Sequence, residues 1–294
     1  MTKKQRELRR SRNEIIDLNG NTIGADDLTD APIALFIHGF TADASYLTAL
    51  MRAFGKQGYN SIAYNYACSE GIDSAASILR EIIADLDDLS NGKIRSNKII
   101  IVAHSMGGLV ARSLVLLNNG SDYVRLVTTL GTPHNGTLSD TAHLEWLVRW
   151  GEKTTQVMEG GFAPSCLSAL QLMKKDGTPP LIDRLAASKI PSSVRFISVS
   201  GGLDELEFGR NPIINFLARR YLKKQFKDKR NDGLVPEESS DLTRLIDPPD
   251  KTLCQHHNSY KEYQKTNHSH LANSQAVALR LLTLIKNPEI RDSQ

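Results

Sequence analysis

A mostly parallel α/β sheet covered by helices on both faces is the fold class this sequence predicts, and three features predict it. Short, continuously apolar runs at residues 33–37 and 99–102 read as strands buried on both sides. Between several of them lie longer stretches whose apolar residues recur at helical spacing, so strand and helix alternate and the strands are joined by right-handed crossovers. The 294 residues are 40% hydrophobic, enough for one continuous core, and no Pro/Gly/Ser linker, low-complexity block or internal repeat divides them.

In chain order, residues 1–12 carry Lys3, Lys4, Arg6, Arg9, Arg10 and Arg12 and read as a mobile basic arm. Residues 13–294 read as a single domain. An edge strand at 15–18 closes on the turn Asn19-Gly20-Asn21. The strand 32–37 ends in His38-Gly39-Phe40. Residues 44–58 form a helix with Leu47, Leu50, Met51 and Phe54 on one face, terminated at Gly55 or Gly58. A strand at 61–66 and a long amphipathic helix at 72–89 follow, and Asn91-Gly92 turns the chain into the central strand.

The most informative stretch is 98–118. Ile99, Ile100, Ile101 and Val102 form a strand, and Leu109, Val110, Leu114, Val115 and Leu117 already follow helical spacing. The reversal must therefore be completed within Ala103-His104-Ser105-Met106-Gly107-Gly108. A bend that tight strains its central residue and needs small neighbours, here Ala103 and Gly107, so Ser105 is lifted clear of the sheet.

A strand at 123–130 leads into Gly131-Thr132-Pro133-His134-Asn135-Gly136. Residues 138–190 break the rhythm: they are apolar (Trp146, Leu147, Trp150, Met158, Phe162) and carry glycine and proline hinges. The strand at 194–200 opens into Gly201-Gly202-Leu203-Asp204. At about 210–230 Pro212 begins a basic amphipathic helical insertion, with Ile213, Ile214, Phe216 and Leu217 against Arg219, Arg220, Lys223, Lys224, Lys227, Lys229 and Arg230. Two roles fit it: contact with an anionic membrane surface, or a lid or surface helix whose basic face is solvated. The last helix carries Val277, Leu279, Leu281, Leu282 and Leu284.

Bulk properties narrow the function. Lys and Arg number 36 against 33 Asp and Glu, a net charge of +3, so overall charge does not indicate nucleic-acid binding. Cys68, Cys166 and Cys254 are odd in number and far apart, which indicates neither a disulfide framework nor a zinc site. No Sec signal peptide and no spanning segment is read, so a cytoplasmic location is the default expectation, with export by a signal-independent route still open. His256 and His257 read as a surface loop with no acidic companion, not as a metal site.

The bend at Ser105 resembles the nucleophile elbow of the α/β-hydrolases, Gly-x-Ser-x-Gly, with Ala103 in the first place. From about residue 32 to 286 the chain is similar to lipase-type α/β-hydrolases, near bacterial lipases and inositol-deacylase-like esterases. That resemblance implies an α/β-hydrolase fold with a helical cap or lid insertion at about 138–190, either mobile or permanently packed. It makes Ser105 the nucleophile and places the backbone N–H groups of Phe40 and Met106 at the oxyanion hole. A serine hydroxyl needs a base and a group that orients the base, which this superfamily supplies in the order Ser, acid, His.

Asn231-Asp232-Gly233-Leu234-Val235 is similar to the Asp-Gly-x-Val segment that carries the acid, making Asp232 the choice and Asp204 the alternate. His268, with Leu271 and Ser274, matches His-x-x-Leu-x-x-Ser on a loop before the last helix, with His270 as alternate. His134 is assigned a wall or hydrogen-bonding role and is kept out of the triad. The resemblance implies hydrolysis of acyl esters of lipids through an acyl-enzyme, without a cofactor, and no calcium site is carried over. The alternatives are an amidase or thioesterase, or a non-catalytic lipid- or protein-binding member of the fold.

Overall fold

Among the described residues, seven strands form one sheet in the order β1-β3-β2-β4-β5-β6-β7, in which only β1, pairing with β3, runs antiparallel. A computed structural model describes residues 13–40, 42–67, 71–136, 181–202, 220, 230–246, 252–258 and 266–286. The strands are β1 (Glu14–Ile16), β2 (Ile33–Ile37), β3 (Asn60–Asn65), β4 (Ile99–His104), β5 (Val124–Leu130), β6 (Arg195–Ser200) and β7 (Cys254–Asn258). The described helices are α1 (Thr48–Gly55), α2 (Ile72–Leu89), α3 (Lys93–Asn97), α4 (Met106–Leu117), α5 (Leu181–Ala187), α6 (Glu237–Ser240), α7 (His268–Asn273) and α8 (Gln275–Lys286).

The continuous apolar runs are the interior strands. Every residue of β2 and β4 is buried, and β4 lies between β2 and β5. Because side chains alternate across a strand, one sequence run feeds two cores. Leu35, Ile37, Ile99 and Ile101 pack with α2 and α4, whereas Ala34, Phe36, Ile100 and Val102 pack with α1 and α8. Each fully buried Ile or Val contributes about 2 kcal/mol, so β4 is a rigid base for the bend that follows it.

Four local expectations change. The helix expected at 44–58 begins as a 3-10 turn, Ala44–Leu47, because the Asp43 carboxylate accepts from the Ser45 N–H and turns the chain before α1. Asn91-Gly92 does not lead directly into β4; Gly92, at φ 79°, starts the short helix α3. His268 is not on a loop but opens α7, whose N-cap is Asn267, its side chain accepting from the His270 N–H. The fourth is the pair His256 and His257, which lies in β7 and not in a surface loop.

Strand β7 has the polar composition Cys-Gln-His-His-Asn and no apolar run to announce it. Its ladder with β6, from Phe196 opposite Cys254 to Ser200 opposite Asn258, makes it a strand. His256 also has an acidic neighbour, Asp241 Oδ1 at 3.8 Å, and its ring nitrogens meet Ser198 Oγ at 2.9 Å and Ser200 Oγ at 3.3 Å. The basic arm 1–12, most of the expected cap at 138–190, Asp204, and the basic insertion at about 210–230 apart from Arg220 and Arg230 lie outside the described residues. Among the described residues no helix is long and apolar enough to cross a membrane.

Candidate active site

At the carboxyl edge of the sheet, β4 and β5 end side by side, with His104 opposite Leu130. The next residue on β4 is Ser105, held at φ 53° and ψ −126°, a conformation that costs an L-residue on the order of 1–3 kcal/mol. The bend is over-determined: the Ser105 N–H donates to Leu130 O at 2.9 Å, and α4 begins at once with Met106. A Cβ on Gly107 would collide with the carbonyls of Ile37 and His38, and one on Gly108 with the Thr132 side chain, so both glycines are required by close approach. Only the first of them is marked by the spacing around Ser105.

Since its N–H is committed to Leu130, Ser105 offers no amide to an oxyanion. Met106 is the first residue of α4, where backbone N–H groups have no acceptor within the helix and the helix dipole is positive. The loop His38-Gly39-Phe40 runs beside the bend: a Cβ on Gly39 would sit 2.9 Å from Ser105 Cβ. Phe40 packs at the margin of the same core as the buried Met106.

One strand over, Asp232 and His268 meet. His268 Nδ1 lies 2.8 Å from Asp232 Oδ2, both side chains are buried, and the His268 N–H donates to the Asp232 carbonyl at 2.8 Å. The other carboxylate oxygen, Oδ1, accepts from the N–H groups of Leu234 and Val235 at 3.0 and 2.8 Å, while Asn231 Oδ1 accepts from the Gly233 N–H. Gly233, at φ 98°, makes that turn affordable for the backbone. An Asp held in this way accepts the Nδ1–H of the imidazole and leaves Nε2 facing away from it.

It is thus His268, and not the exposed His270, that faces the carboxylate. Asp204 falls in 203–210, outside the described residues.

Four further residues shape the site: Gly131, Gly201, His104 and Tyr66. Gly131 follows β5 at φ 55°, and a Cβ there would stand 2.6 Å from Asp232 Oδ2 and 2.9 Å from His268 Nδ1. A Cβ on Gly201, after β6, would lie 2.6 Å from Asp232 Cβ. Their sequence signal is a glycine directly after a buried strand. His104 donates from Nε2 to the His268 carbonyl at 2.9 Å, and the two rings lie 4.6 Å apart. Tyr66, at the end of β3, stacks on His38 with ring centres 4.3 Å apart. Nothing in the local sequence marks either ring, since each acts across the sheet.

His134, after β5, is buried in a hydrogen-bonding role. Its Nε2 meets Thr129 Oγ1 at 3.0 Å, its Nδ1 faces the buried Arg112 at 3.4 Å, and its N–H donates to Ser239 O at 3.0 Å. Arg112 also donates to Leu185 O at 3.2 Å, tying α5 to α4. Burial lowers the Arg112 guanidinium to about 10. Among the described residues no group of three or more His, Cys, Asp or Glu side chains is placed to hold a metal ion.

Three buried imidazoles near the site are held neutral. Burial lowers His38 from 6.5 to about 4. It also holds His104 and His134 well below the usual value, helped by the nearby His268 and Arg112 respectively. Each group binds fewer protons in the folded than in the unfolded chain below pH 6.5, so its stabilising effect is complete above that pH and is lost as pH falls. For His38 alone the loss reaches about 3 kcal/mol by pH 4. The urea midpoint is expected to fall between pH 7 and pH 4.5; a midpoint constant over that range would contradict three neutral buried rings.

Comparison with known proteins agrees with the architecture. A family model described as the PGAP1-like alpha/beta domain matches residues 58–207, a span that contains Ser105 but neither Asp232 nor His268. A Bacillus licheniformis lipase in its mature form superposes with a TM-score of 0.60 at 18% identity, over 88% of this chain and 92% of that one. A metagenomic carboxyl esterase gives 0.57 at 16% identity, over 90% and 77%. A phospholipase from Legionella pneumophila gives 0.51 at 15% identity, over 72% and 45%. Identities this low establish the shared fold. No curated protein sequence matches the chain.

Proposed function

The chain belongs to the PGAP1-like alpha/beta domain family, and from that premise we propose that it is a serine hydrolase cleaving carboxylic acyl esters of lipids. The observation that carries this reading is the buried Asp232–His268 hydrogen bond of 2.8 Å at the strand end next to the strained Ser105 bend. In the proposed reaction His268 Nε2 takes the Ser105 proton as Oγ attacks the ester carbonyl. Asp232 accepts the Nδ1–H and stabilises the imidazolium. The amides of Phe40 and Met106 face the oxyanion of the tetrahedral intermediate. Its collapse expels the alcohol, protonated by His268, and leaves an acyl-enzyme. A water activated by the same imidazole then releases the acid.

Lipid esters are the favoured substrates for two reasons. The insertion at about 138–190 is rich in large apolar residues suited to an acyl chain, and the similar folds include a lipase and a phospholipase. The same reading takes 13–294 as one domain, with that insertion as its cap. The basic residues from Arg219 to Arg230 suit either a solvated lid or surface helix or contact with an anionic membrane surface, and a fall of vesicle but not soluble-ester hydrolysis with salt would select the second.

A fluorophosphonate probe, followed by initial rates on matched ester, thioester and amide substrates of increasing acyl length, tests the proposal. Labelling together with fastest turnover of a long-chain ester supports it. A folded protein that is neither labelled nor active would point to the non-catalytic binder, and faster thioester or amide cleavage would replace the substrate class.

A further inference from the structure

An oxyanion donor is useful only if its N–H is aimed before the substrate arrives, and in His38-Gly39-Phe40 the residue before that N–H is a glycine. Gly39 must lack a Cβ, because one would press on Ser105 Cβ, and a glycine leaves the backbone free to rotate. The turn bond from the Ala42 N–H to the Gly39 carbonyl is long, 3.4 Å, so the loop needs a further hold. Resting on the reading of Phe40 as an oxyanion donor, we propose that Tyr66 is a positioning residue that sets the direction of the Phe40 N–H through His38.

The relay runs through three bonds and one peptide plane. Tyr66 holds His38 at three points: its hydroxyl donates to the His38 carbonyl at 3.0 Å, its backbone N–H donates to His38 Nε2 at 3.2 Å, and its ring stacks on the imidazole at an interplanar angle of 18°. Because Nε2 accepts, the ring proton sits on Nδ1. Nδ1–H then donates to the Gly39 carbonyl at 2.9 Å. That carbonyl and the Phe40 N–H are the two ends of one trans peptide plane and point in opposite directions. Fixing the oxygen on His38 therefore fixes the N–H.

The relay needs a neutral His38. A protonated ring would turn Nε2 into a donor facing the Tyr66 N–H, and the burial that holds this imidazole low prevents that near neutral pH. Tyr66 in turn is braced by Tyr64, with ring centres 5.4 Å apart, and the Tyr64 hydroxyl donates to Ala75 O on α2.

Tyr66→Phe keeps the ring and the backbone N–H and removes one bond of the three. Tyr66→Leu removes the stack as well. With rates normalised to active sites titrated by the fluorophosphonate, kcat on a soluble ester is expected to fall roughly tenfold in Tyr66→Phe and roughly a hundredfold in Tyr66→Leu, with KM within about twofold. Affinity for a trifluoromethyl ketone, which forms a tetrahedral oxyanion on serine, should fall in step with kcat.

A merely structural tyrosine would lower the number of titratable sites and leave kcat per site unchanged, and that result overturns the proposal. Should these variants lose the fold, His38→Asn interrupts the relay from its other member and carries the same expectation. A wild type that is neither labelled nor active fails the hydrolase reading itself; an active wild type with normal Tyr66 variants fails this inference alone.

Discussion

Ser105→Ala is expected to lower ester turnover by roughly 10⁴- to 10⁶-fold while the protein stays folded. Alanine retains the Cβ, so the strain of φ 53° is unchanged, and the backbone N–H still donates to Leu130 O at 2.9 Å. The buried strand β4 and helix α4 that impose the bend are also untouched. Only the hydroxyl is lost. In the proposed reaction only that hydroxyl attacks the ester itself, so no partial function survives beyond what the remaining groups contribute to direct water attack. Rates, fluorophosphonate labelling and a thermal unfolding curve on the same preparation check this. Residual activity above about 1%, or continued labelling, would move the nucleophile elsewhere.

Asp232→Asn is expected to reduce kcat by about 10⁴-fold with little change in KM. The amide oxygen can still accept from Leu234 and Val235, so the turn survives. The other end of the amide becomes an N–H₂ aimed at His268 Nδ1, in place of the acceptor that now stands at 2.8 Å. His268 is then driven to the tautomer whose proton is on Nε2, the atom that must receive the serine proton. Asp204→Asn, measured beside it, should leave kcat within a few-fold. If the Asp204 variant is crippled and the Asp232 variant active, the acid lies after β6, and Asp232 is part of the wall.

How much of this was legible in the sequence depends on whether the cause was local. Strands β2 and β4 were readable because burial on both faces leaves an unbroken apolar run, and α2 because its stripe repeats over 18 residues. The bend at Ser105 was readable because strand must become helix in a few residues. Strand β7 was not, since its polar residues become a strand only by pairing with β6 and by placing His256 against Ser198 and Ser200. For the same reason the short helices at 93–97 and 268–273 escaped notice: a capping side chain or a left-handed glycine starts them, and no periodic stripe does.

By itself the sequence determined the class of fold, the position of the serine bend and the shortlist of acids and bases, because apolar periodicity, small residues at a tight turn and motif spacing are properties of neighbouring residues. Only the tertiary structure decided that His268 rather than His270 faces a carboxylate, and that Asp232 is the one it meets. Only it revealed that Gly131 and Gly201 clear the space for that pair and that Tyr66 grips the loop carrying Phe40. Those facts rest on atoms a few ångströms apart in space but up to 137 positions apart in the chain, as Gly131 and His268 are, and no local pattern encodes a distance of that kind.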